Sequence, residues 1–561
     1  MAAGLSKRIV LWLSFAATTF IFQLYFALQY ERSSHWTQHA DFWAHSAPIS
    51  HQPNSRQLNT DNAIAIENRN AGTKEWKLSN PALQRQVEGY MSHTSVSAGQ
   101  SILLFYNSRS NATVEMEVFR TGWYNGLGAR RLAGPTLLDG VEQTVTAPDG
   151  YGMVACRWKD PFEVQTDSTW TTGVYLIRLT EQSTFTQAYT IFVVRNDTHK
   201  TPDITFQLPT NTYQAYNYWG GKSLYGWGSG LNVPWGSQSG DRARKVSYDR
   251  PYARSTNDNA AFGNGAGEYL TNVQPQFPNY GLNTSASWNY NMVRWLERNG
   301  LDVSYVTNVD THDRLHELQH KPKVFLTQGH DEYWSNAMRD TVERLRDESL
   351  VHLMFLGSNT AYFMVRMEQP IDSQSSSLVA FNSTSHPNLA PRESRVIACF
   401  KRKNADPNKH ELSVPARQYR PEGELIGVEY VGDPYETDLI VKTASHWMFR
   451  NTQVVSGHVI PGLLGYEVDT AFDSKRQDRN FTILFETKVA NRQKKRSGDT
   501  LLCHSTIYTT DAGVNVFGAG SMYWSWGLDD YGVVEGLRGS LLSNIIDRMT
   551  WNFLEAAGIK R

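Results

Sequence analysis

Val324-Phe-Leu-Thr-Gln-Gly-His-Asp-Glu-Tyr-Trp-Ser335 is the stretch that decides the architecture of most of this chain. Val324–Thr327 is a short β-favouring run, and Ser335 has the side chain to N-cap a helix running to about Asp347. Val351–Leu356 then reads as a second buried strand. Upstream, Ile204–Leu208 is a strand. Asn289–Asn299 sets Met292, Val293, Trp295 and Leu296 on one helical stripe, and Gly300 follows as a C-cap. Leu301–Tyr305 is a strand and His312–His320 a short helix. Strands and helices alternate, which predicts βαβ units and a mostly parallel sheet. Gly427–Val431, Gly462–Glu467, Phe481–Glu486 and Val514–Phe517 read as further strands between long insertions.

The pattern before this region is different. Ser101–Tyr106, Val114–Phe119, Gly152–Trp158, Gly173–Leu179 and Ala188–Arg195 are short runs rich in Val, Ile, Phe and Tyr, separated by turn clusters. Val114-Glu-Met-Glu-Val118 alternates, as a strand with one buried and one wet face does. Residues 81–197 are therefore expected to form an antiparallel β-sandwich, and 198–561 the α/β domain. Residues 31–80 are polar and without periodicity, and read as a flexible stem. Lys7 and Arg8 precede an uncharged stretch, Ile9–Tyr30, which as a helix is long enough to cross a hydrocarbon core of about 30 Å. The basic residues predict a cytoplasmic tail at 1–8 and a signal anchor at 9–30, with the body across the membrane, lumenal, extracellular or periplasmic. The fold class expected is thus α/β and all-β multidomain: a transmembrane helix, an antiparallel sandwich, then a mostly parallel α/β domain.

Composition narrows the function. Of 561 residues, 40% are hydrophobic and 12% aromatic, enough for sizeable cores, which excludes a disordered or fibrous chain. The 54 Lys and Arg cancel against 55 Asp and Glu to a net charge of −1, which argues against nucleic acid as a partner. Cys156, Cys399 and Cys503 lack metal-ligand spacing and allow at most one disulfide. Glycosylation sequons at Asn111, Asn196, Asn283, Asn382 and Asn480 are about as many as chance gives.

In open α/β sheets ligands sit beyond the carboxyl ends of the strands. Leu208 is followed by the polar and aromatic run 209–221, Thr327 by Gln328-Gly-His-Asp-Glu-Tyr-Trp334, and Leu356 by Gly357-Ser-Asn359. A plainer reading has Asp331 and Glu332 serving only the N-terminus of the helix opened by Ser335. Three such ends in one sheet favour a site.

Thr327–Ser335 (TQGHDEYWS), Asn211–Tyr225 (NTYQAYNYWGGKSLY), Val246–Tyr252 (VSYDRPY), Phe355–Asn359 (FLGSN), Gly465–Asp469 (GYEVD) and Phe119–Arg131 (FRTGWYNGLGARR) together resemble the large (beta) subunit of N,N-dimethylformamidase and its relatives. The resemblance covers about residues 82–555. It implies a hydrolase of a small amide with one mononuclear ferric centre, Fe(3+), held by two tyrosines and a glutamate. Carried over by position, the metal ligands are Glu332, Tyr216 and Tyr252, with Tyr213 and Tyr248 as alternatives to the two tyrosines. His330, Asn359 and Glu467 fall on positions lining the same pocket. Three anionic oxygens suit a hard trivalent ion, and only a strongly acidic metal would hold two phenols, of ordinary pKa about 10, as phenolates. His330 then suits proton transfer, Asn359 a hydrogen bond to substrate or oxyanion, and Glu467 activation of water or protonation of the leaving amine. The family pairs its large chain with a small subunit, which nothing here supplies, and is not membrane-anchored. Whether the chain forms a homo-oligomer is open.

Two other readings compete. His316-Glu-Leu-Gln-His320 matches the H-E-x-x-H pattern of zinc peptidases. The helix is short, Pro322 follows closely, and these side chains read as its solvated face. Gly263-x-Gly265-x-Gly267 is a glycine cluster without nucleotide-binding context, and no G-x-S-x-G elbow exists. The remaining alternative is a non-catalytic surface protein that binds a glycan or a protein partner.

Overall fold

Val87–Glu181 and the strands around it show how apolar alternation becomes architecture in this chain. As a computed structural model, the structure describes residues 62–197, 201–226, 242–254, 258–271, 286–313, 321–369, 393–399, 420–472, 481–490, 500–533 and 540–561. The first eight strands are β1 (Val87–Met91), β2 (Ser95–Ser97), β3 (Ser101–Ser108), β4 (Val114–Thr121), β5 (Ala129–Leu138), β6 (Phe162–Gln165), β7 (Gly173–Glu181) and β8 (Thr186–Arg195). They form a three-stranded sheet, β1-β3-β6, and a five-stranded sheet, β2-β8-β7-β4-β5. Ile102 and Leu104 from one sheet and Met116, Val118, Ile177 and Phe192 from the other share one core. This is the expected sandwich, with one parallel pair, β2 with β8, among antiparallel ones.

Gly152–Trp158 is not a strand. Val154, Cys156 and Trp158 are buried alternately, which imitates strand periodicity, but they pack with Tyr90, Phe105 and Trp219 in a small separate core. Cys156 N donates to Asp249 O rather than to a ladder (2.6 Å). The stem also ends earlier than its composition suggests. Residues 62–80 carry α1 (Ala63–Glu67), and Ile64 and Trp76 insert into the main core. Single apolar anchors in a polar stretch give no periodic signal. Cys156, Cys399 and Cys503 are buried, and none forms a disulfide.

The second half contains β9 (Ile204–Leu208), α2 (Thr210–Tyr216), β10 (Lys245–Ser247), α3 (Trp288–Arg298), β11 (Val303–Thr307), α4 (Asn308–Asp313), β12 (Val324–Gly329), β13 (Tyr333–Ser335), α5 (Asn336–Asp347) and β14 (His352–Gly357). It continues with β15 (Phe363–Glu368), β16 (Val396–Ala398), α6 (Glu422–Ile426), β17 (Val428–Ile440), β18 (Val459–Ala471), β19 (Thr482–Ala490), β20 (Thr500–Thr509), β21 (Asn515–Gly518) and α7 (Asn544–Ala556). The central sheet has seven strands in the order β11-β9-β12-β14-β21-β20-β19. Its first five are parallel, and β20 and β19 extend it antiparallel. Leu326 and Met354 face one core and Phe325 and Leu353 another, so both faces are covered. α5 is capped by the Ser335 hydroxyl, which accepts from Met338 N at 3.2 Å. Of the short helix expected at His312–His320, residues 312 and 313 lie in α4, while residues 314–320 lie outside the described ones.

The described residues all belong to the larger of two units, Leu58–Arg561. Inside the larger unit, Arg120 of β4 reaches α3 and pairs with Glu297 at 2.7 and 2.9 Å, both side chains fully buried. Tyr305 and Asn68 donate to the same carboxylate. The Phe119–Arg131 motif is thus the joint between sandwich and sheet. Among the described residues no helix is long and apolar enough to cross a membrane, and the Ile9–Tyr30 stretch lies outside them.

Candidate active site

β9, β12 and β14 are neighbours in the sheet, so their carboxyl ends open side by side. After Leu208 the chain enters α2, whose residues are all buried. At the end of β12, Gly329 has φ +77°, and a Cβ there would lie 2.7 Å from that of Trp288. Glycine alone fits this turn, which carries His330-Asp331-Glu332 off the strand. Asp331 pins it, accepting from Gln207 Nε2 (2.7 Å), Thr327 Oγ1 (2.7 Å) and Asn308 Nδ2 (3.0 Å). Burial raises its carboxyl above the usual range and these bonds draw it back. The plainer reading of Asp331 and Glu332 as helix-terminal residues fails, because no acidic residue occupies the first turn of α5.

Glu332 is buried and receives two phenols. Tyr216, the last residue of α2, donates to Glu332 Oε2 at 2.9 Å. The Tyr225 hydroxyl lies 2.8 Å from that of Tyr216 and 3.2 Å from both carboxylate oxygens. The two rings stack with centroids 4.4 Å apart. Tyr225 also hydrogen-bonds Tyr333.

This pairing comes from a chain reversal. Gly220 turns with φ +75°, where a Cβ would meet Val154 at 2.7 Å, and Leu224 N then donates to Ala215 O at 3.0 Å. Arg250 clamps the reversal, donating to Trp219 O (2.9 Å), Lys222 O (2.8 Å) and Asn217 O (2.8 Å). Its guanidinium is buried without a carboxylate, which pulls its pKa down to about 10.

His330 completes the cluster. Its Nε2 lies 3.1 Å from Glu332 Oε2 and 3.3 Å from Glu467 Oε2, the latter carried by β18. Burial alone would lower the imidazole pKa, but Glu467, Glu332 and Glu268 outweigh it and raise it to about 10. Burial pushes Glu467 well above the carboxylate range, with Glu332 adding to the rise and His330 opposing it. Both shifts favour a proton retained within the His330–Glu467 pair. Burial also raises Tyr216 and Tyr225 well above the ordinary phenol value, with Glu332 adding to both. Asn359 sits just past β14 in the left-handed region (φ +55°), its N–H donating to Asp469 at 2.9 Å, and hydrogen-bonds Glu467.

The structure thus brings together Tyr216, Glu332, His330, Asn359 and Glu467. Tyr252 stands apart from Glu332. It hydrogen-bonds Gln214, its ring is edge-on to Tyr213 at 6.3 Å, and no hydrogen bond joins it to Glu332 among the described residues. The alternatives are committed elsewhere: Tyr213 donates to Asn289 Oδ1 (2.8 Å) and Tyr248 to Asn211 Oδ1 (2.7 Å). The second phenol on Glu332 is Tyr225, so the Asp-Arg-Pro-Tyr motif reaches the site through Arg250. Tyr225, Arg250 and Glu268 were not singled out from sequence, and Asp331 only as a helix-terminal residue. The Gly220-Gly221 pair between Tyr216 and Tyr225 was the available signal, since it marks a reversal that can stack two nearby rings.

Among the described residues no group of three or more His, Cys, Asp and Glu is arranged to hold a metal ion, and His316-Glu317-His320 lies outside them. Oxygen donors from Tyr216, Tyr225 and Glu332 are a set of another kind. Several buried polar atoms around this cluster make no hydrogen bond among the described residues: Asn359 Oδ1, Trp288 Nε1 and both oxygens of Glu268.

No curated protein matches the chain. Residues 115–536, about three quarters of its length, match the family described as N,N-dimethylformamidase beta subunit-like, C-terminal. That span holds all three strand ends, the Tyr216–Tyr225 reversal, Glu268 and Glu467. The chain belongs to the N,N-dimethylformamidase beta subunit-like family.

Proposed function

We propose that this chain is an amidohydrolase of linear amides with one ferric ion held by Tyr216, Tyr225 and Glu332. The observation that carries the reading is the convergence of two phenol oxygens and a carboxylate within 3.2 Å in the buried interior. Oxygen donors that would share one ion stand about 3 Å apart, close to the 2.8–3.2 Å separations found here. Buried phenols beside a carboxylate also gain most from a strongly acidic ion. Such an ion would polarise the amide carbonyl and acidify water.

The chain's own groups supply the rest. His330, holding its proton between Glu332 and Glu467, donates it to the departing nitrogen. Glu467 takes the proton of the attacking water, and Asn359 orients the substrate. Trp288, whose ring stands 6.3 Å from that of His330, helps exclude water. Asp331 and Arg250 position Glu332 and Tyr225 without touching substrate. The membrane anchor at Ile9–Tyr30 belongs to the same proposal, which places this chemistry beyond the membrane from residues 1–8.

Metal analysis and visible absorption of the purified chain test the ligand set. Wild type should carry iron near one per chain and absorb in the visible through phenolate-to-iron charge transfer. Tyr225→Phe should lose most of the band and of the iron, and Tyr252→Phe should keep both. The reverse pattern would restore Tyr252 as the ligand and exclude Tyr225.

A further inference from the structure

Glu268 is a buried carboxylate that neither the fold nor the roles above use. It follows the Gly263–Gly267 cluster on the approach to α3. That turn is pressed against its surroundings: a Cβ on Gly265 would lie 2.1 Å from Tyr189 O, and one on Gly267 3.0 Å from the Tyr213 ring. The glycines let the chain pass close enough to bring Glu268 into the interior, where it is 2% exposed. Neither of its oxygens has a hydrogen-bond partner among the described residues. Tyr213, which feels its charge more than that of any other group, donates to Asn289 instead.

An unpartnered buried carboxylate is costly, and its retention asks for an occupant that pairs with it. Gly267, the residue before it, abuts the ring of Tyr213 on α2, the helix that ends in Tyr216, and the charges of His330 and Glu332 in the cluster described above act on Glu268. A cation on Tyr216, Tyr225 and Glu332 would answer Glu332 and leave the acceptors of Glu268 and Asn359 without donors. What is missing on this side is hydrogen-bond donors. An N,N-dialkyl amide has none on nitrogen; a primary amide has two.

We propose that Glu268 accepts a hydrogen bond from a substrate N–H, so that the amides used by this chain carry at least one N–H, unlike the dialkyl amide in the family's name. The inference rests on the amidohydrolase reading. A site built around such a bond rejects the analogue that lacks it, because the acceptor is then left unpaired against a methyl group.

The test uses the full-length iron-loaded protein with formamide and acetamide bearing zero, one or two N-methyl groups, following amine release. Wild-type kcat/KM should fall about 10-fold or more from the primary to the dimethyl amides. Glu268→Met, which removes both acceptor oxygens at similar length, should raise KM for the primary amides, leave the dimethyl amides unchanged and so flatten the series. Its Tm should equal or exceed that of wild type, since an unpaired buried charge is gone. Equal use of primary and dimethyl amides by wild type, or an equal loss on all of them in Glu268→Met, overturns the inference and leaves the amidohydrolase reading standing. A Tm lowered by several degrees in both Glu268→Met and Glu268→Gln makes Glu268 a structural group and also overturns it. Release from none of these amides by wild type overturns the reading and the inference together.

Discussion

Glu332→Ala is expected to abolish both iron binding and amide hydrolysis. Among the described residues Glu332 is the one carboxylate in contact with Tyr216, Tyr225 and His330 at once, at 2.9, 3.2 and 3.1 Å. Removing it takes away the carboxylate of the donor set and leaves two phenols that burial raises well above their ordinary pKa. It also takes away one of the carboxylates that hold the His330 proton. Iron content should fall from about one per chain to near zero, with turnover at background. The check is metal analysis alongside amine release, with circular dichroism to show an intact fold. Asp331 and the Ser335 cap do not depend on Glu332, so the β12 turn should survive. Full iron occupancy in this variant would remove Glu332 from the ligand set.

His330→Ala should separate the catalyst from the ligands. His330 lies within hydrogen-bond reach of Glu332 and Glu467 but is two covalent positions from the donor set. Its loss should lower kcat by about 10²–10⁴-fold, the usual worth of a positioned proton donor, while iron and the visible band persist. The sign of the pH dependence follows from the raised pKa. With the imidazole held up to about 10 by burial opposed by Glu467, Glu332 and Glu268, the donor is protonated through the neutral range and is lost only in alkali. Activity limited by His330 should therefore hold level below that value and fall above it, unlike the fall above the ordinary 6.5 that an unperturbed imidazolium donor would give. A trivalent ion on Glu332 would offset part of that carboxylate's charge and shift the alkaline limb downward. If iron is lost from His330→Ala as completely as from Glu332→Ala, His330 supports the metal and is not a proton donor.

Much of the sheet and half of the site were legible in the residues. Val324–Thr327, Ser335 and Val351–Leu356 were placed by apolar run length and capping chemistry, because central parallel strands are buried on both faces. The rule about strand ends pointed to the runs that hold Tyr216, His330, Glu332 and Asn359. The resemblance singled these residues out and added Glu467, contributed by a hairpin far along the chain. What was misread depended on long-range packing. Val154, Cys156 and Trp158 alternate like a strand because they insert singly under Trp219. Ile64 and Trp76 are isolated anchors in a polar stretch. Tyr225 was quoted within the resembling motif, yet its place on Glu332 depends on a reversal held by Arg250, thirty or so positions from Tyr218–Lys222, and no local pattern shows that clamp. Glu268 stands out only once its lack of partners can be counted.

Amide hydrolysis measured across removal and return of iron tests the central claim most directly. The purified full-length chain is assayed for amine release from primary formamide and acetamide as isolated, after chelation, and after reloading with ferric or zinc ions. The account predicts turnover that disappears on chelation and returns in proportion to bound ferric iron but not zinc. Turnover that survives complete iron removal, or that zinc alone restores, would contradict it.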